Sequence, residues 1–555
     1  MRSGFLFISV ILNLFIDFQI YTNHYSPVLI FLWFISILLI ILSFNKTMKL
    51  SLGKIKISPK TILLLLIISL PVFTRVANYN LYRIHGDELI TAYFSATENF
   101  AQVNFFSGIP SDKGQWVAQF PTVFFVLQKL SFLIFGESLL SVKLSVLPYV
   151  FIVSLMLYLL VKKIFNEKTA IISVILYSFF AVSLYFETLG LHFISSTAAF
   201  MVFFYLALRN LKENTLFLSV LTGISAGFCF LFYTTSYIAS PLMVIFFLVQ
   251  LLRIRKISVV KNFIITVVGF LIVLGPFFIY AYKFDNYFTT RINQVSLFTG
   301  SWSIEKKEIE KGADSFLIMK KSFSESIQSL YKDGIGGHGG YTFGQLAFFE
   351  RFSLYLFLLG LGIGFIVMFK KIELLFIFLT IIFSFLTLVL SIPPPAYQRF
   401  SLAFPFIAII FSLPFYLLSS FKKTNLTLRH VTIFLLLSIY LFNNQQYFLK
   451  STKKENNNID LRLISYINQR YLDRNIYIAA YPGFALEKWY YFAKGKNDRK
   501  IQSDYHDNFL KRFNPQEKYV YVILFPEAFT EKFSQLDQKG EIINLFQPNY
   551  SLFAN

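Results

Sequence analysis

Residues 138–168 read SLLSVKLSVLPYVFIVSLMLYLLVKKIFNEK, and this stretch decides the fold. Its apolar part is long enough to cross a bilayer, because a spanning helix needs about 17–25 mostly apolar residues. A basic turn with Lys162, Lys163 and Lys168 follows at once, and another apolar run begins at Thr169. Two apolar runs joined by a short basic turn are typical of a helix pair that crosses a membrane twice.

The composition extends this interpretation to most of the chain. Of the 555 residues, 55% are hydrophobic and 15% are charged, whereas soluble domains have about 45–50% apolar and about 25% charged residues. Lipid must therefore surround most of the protein. The net charge of +21 does not indicate nucleic-acid binding, because many of the basic residues lie in short loops between apolar runs. The single Cys229 excludes an intrachain disulfide.

Further apolar runs predict an all-α polytopic membrane bundle with about thirteen transmembrane helices. The predicted spans are 4–21, 27–44, 61–77, 138–161, 169–186, 193–208, 215–232, 237–252, 263–282, 352–369, 372–392, 400–420 and 430–448.

The charges of the short loops predict which side of the membrane each loop faces. Alternate threading of the spans brings six short loops to one side, and these loops carry nineteen lysines and arginines but only Glu167 and Glu213 as acidic residues. Positively charged loops stay in the cytoplasm, so this side is predicted to be cytoplasmic.

The opposite side then carries the large segments, which are predicted to be extracytoplasmic. These segments are two outer loops and a polar tail, at 78–137, 283–351 and 449–555. Within the first loop, 120–136 is amphipathic and predicts a helix that lies along the membrane interface. The tail predicts a small α/β domain, with helices at 460–474, 507–513 and 527–538 and strands at 475–481, 519–525 and 541–546. The predicted domains are therefore two extra helices and a basic loop, a catalytic membrane module, and an outer α/β domain, at 1–60, 61–448 and 449–555.

Residues 83–93, RIHGDELITAY, open the first outer loop with two adjacent carboxylates, Asp87 and Glu88. On a helix they point about 100° apart, so one can face a reacting group while the other braces the loop or holds a cation. A carboxylate in a partly dehydrated cleft is a suitable general base for a hydroxyl group. The alternative is an ordinary helix N-terminus, where acidic residues complement the dipole.

Other motifs follow this pair in a fixed order. They are Gln119-Phe120-Pro121-Thr122-Val123, Gly136-Glu137-Ser138 with Val142-Lys143-Leu144, the basic turn at 162–170, and Tyr397-Gln398-Arg399-Phe400 with Leu402-Ala403-Phe404-Pro405. This order resembles the membrane-embedded C-type glycosyltransferases, and within them the family-39-like branch of protein mannosyltransferases and lipid A aminoarabinose transferases. The likeness covers most of residues 60–420 and departs from the family pattern in keeping one proline at Pro121 and a lysine at Lys143.

The resemblance implies an enzyme that moves a sugar from a polyprenyl-phosphate donor to an acceptor on the outer face, with inversion. By its position in the motif, Asp87 is the general base, and Glu88 is a supporting carboxylate or a ligand to the acceptor or to a cation. Arg399, His338 and Lys143 are the candidates for holding the donor phosphate. The plainer alternatives are snorkelling side chains for Arg399 and Lys143 and a flexible exposed loop for the glycine-flanked His338.

Glu187, His192 and Tyr93 form a possible second site, acidic or metal-binding, or a contact with the acceptor. Relatives often carry an acidic residue near the position of His192, and Glu187 is the candidate to replace it. Ordinary helix-turn residues are the alternative. No cofactor is certain, although a divalent cation can be held by carboxylates and histidines.

Two other functions stay open, namely a transporter or flippase of lipid-linked sugars and a non-catalytic relative that assists cell-envelope assembly. The spans carry almost no charge near their centres, which disfavours transport. The expected partners are the polyprenyl-phosphate sugar, a protein, lipid or polysaccharide acceptor, and membrane lipids, without nucleic acid. The resemblance implies a location in the bacterial inner membrane.

Overall fold

The structure, a computed structural model, describes residues 2–44, 58–79, 81, 85–100, 103–108, 120–284, 286–336, 341, 343–420, 426–455, 459–471, 473–479, 501–504, 518–524, 541–546 and 550–554. The chain forms two compact units. The first consists of Met1–Tyr79, Asn99–Leu127 and Val146–Glu455, and the second of Asn80–Glu98, Gln128–Ser145 and Asn456–Asn555. These divisions differ from the predicted boundaries after residues 60 and 448, which stay predictions.

The first unit is helical throughout its described part. Its α-helices are α1 (Arg2–Tyr21), α2 (Val28–Phe44), α3 (Pro59–Ala77), α7 (Leu147–Ile164), α8 (Glu167–Phe179), α9 (Ala181–Phe186), α10 (Phe193–Glu213), α11 (Leu216–Cys229), α12 (Ala239–Ile254), α13 (Ile257–Lys283), α14 (Tyr287–Val295), α15 (Ile304–Glu310), α16 (Ser315–Ser329), α17 (Arg351–Met368), α18 (Glu373–Val389), α19 (Phe404–Ser420) and α20 (Leu426–Glu455). Short 3₁₀ turns lie at Thr234–Ile238, Phe343–Gln345 and Tyr397–Ala403.

The second unit contains α-helices from the first loop and from the start of the predicted span at 138–161, together with the described part of the tail. Its helices are α4 (Gly86–Thr97), α6 (Leu139–Leu144) and α21 (Ile459–Arg470), and α5 (Val123–Phe135) begins in the first unit and ends in the second. The helix α5 lies where an interfacial helix was predicted.

The tail folds into a five-stranded sheet in its described residues. The strands are β1 (Asn475–Ala479), β2 (Ile501–Asp504), β3 (Tyr519–Leu524), β4 (Glu541–Phe546) and β5 (Tyr550–Ala554), in the order β2-β1-β3-β5-β4. The strand β1 pairs in parallel with β2 and β3, and β5 pairs antiparallel with β3 and β4. The sequence pattern missed β2 and β5, and the helices predicted at 507–513 and 527–538 lie outside the described residues.

The membrane character of the helical bundle is confirmed. In the described part of the chain, nine helical segments are long and apolar enough to cross a bilayer, and α2, α5, α11 and α18 are shorter apolar helices. Large apolar side chains such as Leu63, Leu252 and Phe434 are exposed, as expected where lipid is the solvent. The total of thirteen spans stays a prediction.

The predicted span at 169–186 is two helices, because the chain breaks at Phe180. The backbone of Phe180 is extended, which ends α8 and begins α9. The break leaves carbonyl groups at the end of α8 without helical partners, and the guanidinium of Arg75 binds those of Tyr177 and Ser178 at 3.4 and 2.8 Å. The amide of Ala181 donates to Asn444 Oδ1 at 3.2 Å. Side chains distant in sequence therefore stabilise an interruption that hydrophobicity alone does not predict.

The helix α19 lies at the centre of the first unit. Its residues are buried without interruption from Phe404 to Phe415, and it packs against α8 and α17. The turn at Tyr397–Ala403, which leads into α19, is buried as well. The residue Arg399 is therefore held in the interior of the bundle.

Candidate functional site

The N-terminus of α4 positions the carboxylate pair of the second unit. A capping box starts this helix, in which the amide of His85 donates to Glu88 Oε2 at 2.8 Å. The other oxygen of Glu88 pairs with Lys143 Nζ at 2.6 Å, and both side chains are buried. Glu88 thus braces the helix start and binds Lys143 at the same time.

Asp87 occupies a different environment although it is the next residue. Its side chain is 35% exposed, and its carboxylate lies 3.7 Å from His85 Nδ1. That nitrogen accepts the amide hydrogen of Asp87 at 3.1 Å, so it donates no proton to the carboxylate. Of the two carboxylates, Asp87 is the one that presents an accessible oxygen to a substrate.

Tyr93 lies six residues further along α4. Six helical steps correspond to about 240°, so Tyr93 and Asp87 point to different sides of the helix. Tyr93 is half-buried. Its contact with an acceptor stays a prediction.

Breaking the buried pair is expected to destabilise the second unit. Replacement of Lys143 by methionine removes the cation that the buried Glu88 Oε1 binds, which costs about 3–5 kcal/mol of unfolding free energy. The double variant Glu88→Gln, Lys143→Met should recover part of that loss. Thermal unfolding in detergent measures both effects.

The control for this experiment is Lys163→Met. Lys163 pairs with Glu213 at 3.0 Å, but both side chains are about one-third exposed, so its loss should cost less than about 1 kcal/mol. A Lys143→Met protein as stable as this control would contradict the structural role of the buried pair.

Glu187, in the first unit, belongs to a second buried ion pair. Its Oε2 binds Arg75 Nη2 at 2.7 Å and accepts from Ser183 Oγ at 3.0 Å. The Arg75 guanidinium also stacks over the Tyr177 ring at 5.0 Å. Because Arg75 binds the end of α8 as well, this pair joins α3 to the break between α8 and α9. The structure thus places Glu187 in a tightly bonded network.

His192 lies just before α10, among aromatic rings. Its ring centroid is 4.1 Å from that of Phe120 and 4.7 Å from that of Tyr233. Burial, and secondarily the positive charge of Arg291, lower the pKa of His192 from 6.5 to about 3. The imidazole is therefore neutral throughout the physiological pH range.

This low pKa predicts a pH-dependent stability. The unfolded chain binds a proton at His192 below about pH 6.5 while the folded protein does not, so stability falls as the pH drops from 6.5 toward 3. At pH 5 the contribution is about 2 kcal/mol. The variant His192→Phe should lack that part of the acid destabilisation, which paired unfolding measurements at pH 7 and pH 5 detect. Equal pH dependence in the two proteins would contradict the assignment.

Arg399 is the most unusual cation of the first unit. It is 5% exposed, and its Nε and Nη1 atoms have no hydrogen-bond partner among the described residues. The side chains of Tyr233, Arg291 and Tyr341 lie close enough to interact electrostatically with its guanidinium. Its own carbonyl accepts from Thr387 Oγ1 at 2.8 Å, which fixes the turn to α18. A buried guanidinium in which two nitrogens lack partners among the described residues has the charge and the free donors to bind an anion.

His338 lies outside the described residues, and its phosphate contact stays a prediction. The loop before it is described as far as Gly336, where an added Cβ would lie 1.8 Å from the Tyr397 hydroxyl oxygen. Only glycine allows this approach. In the described part of the chain, no group of three or more His, Cys, Asp and Glu side chains is placed to hold a metal ion, and the divalent cation also stays a prediction.

The sequence argument missed Arg75, Arg291 and Tyr233. A signal was available for Arg75, since an arginine inside an apolar span needs a buried partner. Arg291 and Tyr233 lie in ordinary sequence surroundings, and only the fold brings them to Arg399.

Two comparisons with known proteins bear on this site. The family described as dolichyl-phosphate-mannose-protein mannosyltransferase matches residues 119–280. That range contains Lys143, Glu187 and His192 but neither Asp87 nor Arg399. No curated protein matches the sequence.

Among solved structures, the fold is similar to that of ArnT from Cupriavidus metallidurans. The form bound to undecaprenyl phosphate has a TM-score of 0.52 at 10% identity, with 89% of this chain and 98% of that chain covered. The apo form has a TM-score of 0.52 at 11% identity, with 90% and 98% covered. An oligosaccharyltransferase from Archaeoglobus fulgidus has a TM-score of 0.47 at 14% identity, with 85% and 69% covered. The fold of ArnT and the family match together confirm the resemblance to the membrane-embedded C-type glycosyltransferases.

Proposed function

Because the chain has the fold of the membrane-embedded C-type glycosyltransferases, we propose that it transfers a sugar from a polyprenyl-phosphate donor to an acceptor hydroxyl group. Asp87 is the general base and Arg399 holds the donor phosphate. The reaction takes place on the extracytoplasmic side of a bacterial inner membrane.

The proposed step is a single displacement. The acceptor hydroxyl oxygen forms a bond to the anomeric carbon while its proton passes to the Asp87 carboxylate. The bond between the anomeric carbon and the phosphate oxygen breaks, and polyprenyl phosphate leaves with the electron pair. Attack opposite to the leaving group inverts the anomeric configuration. Positive charge near the departing phosphate lowers the barrier.

The observation that carries this proposal is the buried Arg399, whose Nε and Nη1 atoms are unpaired among the described residues. Burial of a cation whose N–H groups lack hydrogen-bond partners is unfavourable. Such an arginine is therefore expected at a site where a ligand accepts those hydrogen bonds. Its planar fork matches a phosphate group.

An apolar groove that extends to Phe400, the residue after Arg399, also supports the proposal. It lies between α17 and α18, has a volume of about 730 Å³, and is lined at one end by Phe349 and Phe400 and at the other by Met368. On α17 the lining residues run from Phe357 to Met368, which corresponds to about 16 Å of helix, or about half of a hydrocarbon core of about 30 Å. The part of a polyprenyl chain next to the phosphate fits such a groove, with the phosphate at Arg399.

A transporter receives less support from the structure. Transporters place ionisable groups near the bilayer midplane, whereas Arg75 lies in the last turn of α3. Its partner Glu187 follows the last residue of α9.

Purified protein in detergent tests the proposal. It is incubated with a panel of polyprenyl-phosphate sugars and a membrane lipid and protein extract as acceptor, and donor consumption is followed by mass spectrometry. We expect consumption of at least one donor. A flippase has no activity without two leaflets, and an assembly protein consumes no donor, so failure with every donor would reject the enzyme.

A further inference from the structure

The turn at Tyr397–Ala403 carries unpaired polar atoms on both sides of Arg399 in the sequence. Gln398 Oε1 and Ser401 Oγ are buried and have no hydrogen-bond partner in the described part of the chain, as is also true of Nε and Nη1 of Arg399. Buried polar groups are nearly always hydrogen-bonded, because an unpaired one lowers stability. Four such atoms within four consecutive residues indicate a ligand or ordered water in contact with this turn.

The turn is a 3₁₀ helix, so its side chains point to three sides. Three residues make one turn of such a helix, and side chains three positions apart lie above one another. The amide of Arg399 donates to the carbonyl three residues back at 3.0 Å, as this geometry requires. Tyr397 and Phe400 therefore lie on one side. Gln398 and Ser401 lie on a second side, and Arg399 lies on the third.

The contacts of the turn agree with this division. Tyr397 and Phe400 both pack against the ring of Phe348, with centroid distances of 5.3 and 5.2 Å. Phe400 also lines the groove between α17 and α18. One side of the turn is thus apolar and faces the groove proposed for the polyprenyl chain, and another carries the guanidinium proposed for the phosphate. The side with Gln398 and Ser401 is left for the remaining part of the donor.

The small accessible surface of the turn lies at two neighbouring residues. Gln398 and Arg399 are each 5% exposed, whereas Tyr397, Leu402 and Ala403 are fully buried. The Cα atoms of consecutive residues are about 3.8 Å apart. A donor bound at the guanidinium therefore comes within reach of the Gln398 amide.

The chemistry of the second side suits a neutral sugar. A glutamine amide offers both donors and an acceptor, and a serine hydroxyl does the same, so each matches a sugar hydroxyl group. Arg291 lies close enough to interact electrostatically with Arg399. Two guanidinium groups near each other disfavour a positively charged amino sugar.

We infer that Gln398 and Ser401 bind hydroxyl groups of the donor's sugar, and that this sugar is neutral. The inference rests on the proposed function, since it assigns the sugar class of the same donor. The three sides of one turn then contact the three parts of the donor, namely the polyprenyl chain, the phosphate and the sugar.

Kinetics with deoxy sugars test the inference on the full chain in detergent. The probes are the undecaprenyl-phosphate sugar that the wild-type protein consumes fastest and its analogues that each lack one hydroxyl group. For at least one analogue, wild-type kcat/KM should fall about tenfold or more, because a site built to bind a hydroxyl group rejects a ligand without it. Gln398→Met should lose this discrimination, and Ser401→Ala should lose or weaken it. Titration with undecaprenyl phosphate, which has no sugar, should give wild-type binding for both variants.

Two other buried residues provide matched controls. Gln250 Nε2 donates to the Asn210 carbonyl at 2.7 Å, and Ser412 Oγ donates to the Ile409 carbonyl at 2.7 Å. Gln250→Met and Ser412→Ala should therefore keep the discrimination, and Gln250→Met should lower the unfolding temperature.

The variant Gln398→Met removes an amide without partners in the described part of the chain, so its unfolding temperature should stay the same or rise. A lower unfolding temperature with wild-type discrimination would assign Gln398 to the fold alone.

Three further results would overturn the inference. Wild-type discrimination in both Gln398→Met and Ser401→Ala would show that only water contacts this side of the turn. A wild-type protein that distinguished none of the deoxy analogues would show that no hydroxyl group is bound. Consumption of amino-sugar donors only would contradict the neutral sugar. Failure of the wild-type protein to consume any donor would instead reject the proposed function.

Discussion

The variant Asp87→Asn is expected to lose sugar transfer by about 10²–10⁴-fold, the usual contribution of a general base. Asparagine keeps the size of the side chain but cannot take the acceptor proton. The fold should survive, because the capping box of α4 depends on His85 and Glu88. Loss of the favourable interaction of Asp87 with the helix dipole costs about 0.3–1 kcal/mol. Initial rates of donor consumption, together with thermal unfolding of the same preparation, measure both quantities.

The matched control for Asp87 is Glu98→Gln. Glu98 caps the other end of the same helix, so the variant removes one negative charge from α4 without touching its N-terminus. Its rate should stay near that of the wild-type protein. If folded Asp87→Asn protein turned over within about tenfold of the wild-type rate, Asp87 would not be the base.

Replacement of Arg399 by methionine is expected to separate stability from activity. Two hydrogen bonds to a charged phosphate contribute about 1.5–3 kcal/mol each, so kcat/KM should fall by about 10²–10⁴-fold. The unfolding temperature should stay the same or rise, because an apolar side chain of similar length removes a buried cation with open N–H groups. The variant Arg399→Lys keeps the positive charge but loses the planar guanidinium that can bind phosphate through two N–H groups. Its activity should therefore lie between that of the wild-type protein and that of Arg399→Met.

Two measurements distinguish a role of Arg399 in donor binding from a role in stabilising the fold. Titration with undecaprenyl phosphate as the probe measures binding, and thermal unfolding measures stability. The control is Arg351→Met at the start of α17, where the side chain is exposed, and neither donor binding nor stability should change. A strongly destabilised Arg399→Met protein that still bound the probe would show that Arg399 supports the fold and does not hold the donor.

The order of motifs along the chain was sufficient to predict the resemblance to the membrane-embedded C-type glycosyltransferases, but the surroundings of single residues depended on contacts between distant segments. Asp87 and Glu88 are adjacent acidic residues, and the sequence alone does not show which of them is accessible. In the structure, Glu88 is buried and paired with Lys143, while Asp87 is partly exposed. A pairing between residues 55 positions apart leaves no periodic signal in the sequence. The same holds for Arg75 and Glu187, which are 112 positions apart.

The sequence by itself determined the membrane character of the bundle, because lipid selects for long apolar runs and for basic short loops, and both are local properties. Its predictions for the tail at 460–474, 475–481, 519–525 and 541–546 overlap α21, β1, β3 and β4. Only the tertiary structure decided that the apolar run at 169–186 breaks at Phe180, and that Arg399 is buried with its Nε and Nη1 atoms unpaired among the described residues. Burial and groove shape arise from packing between distant helices, which no pattern within one helix encodes.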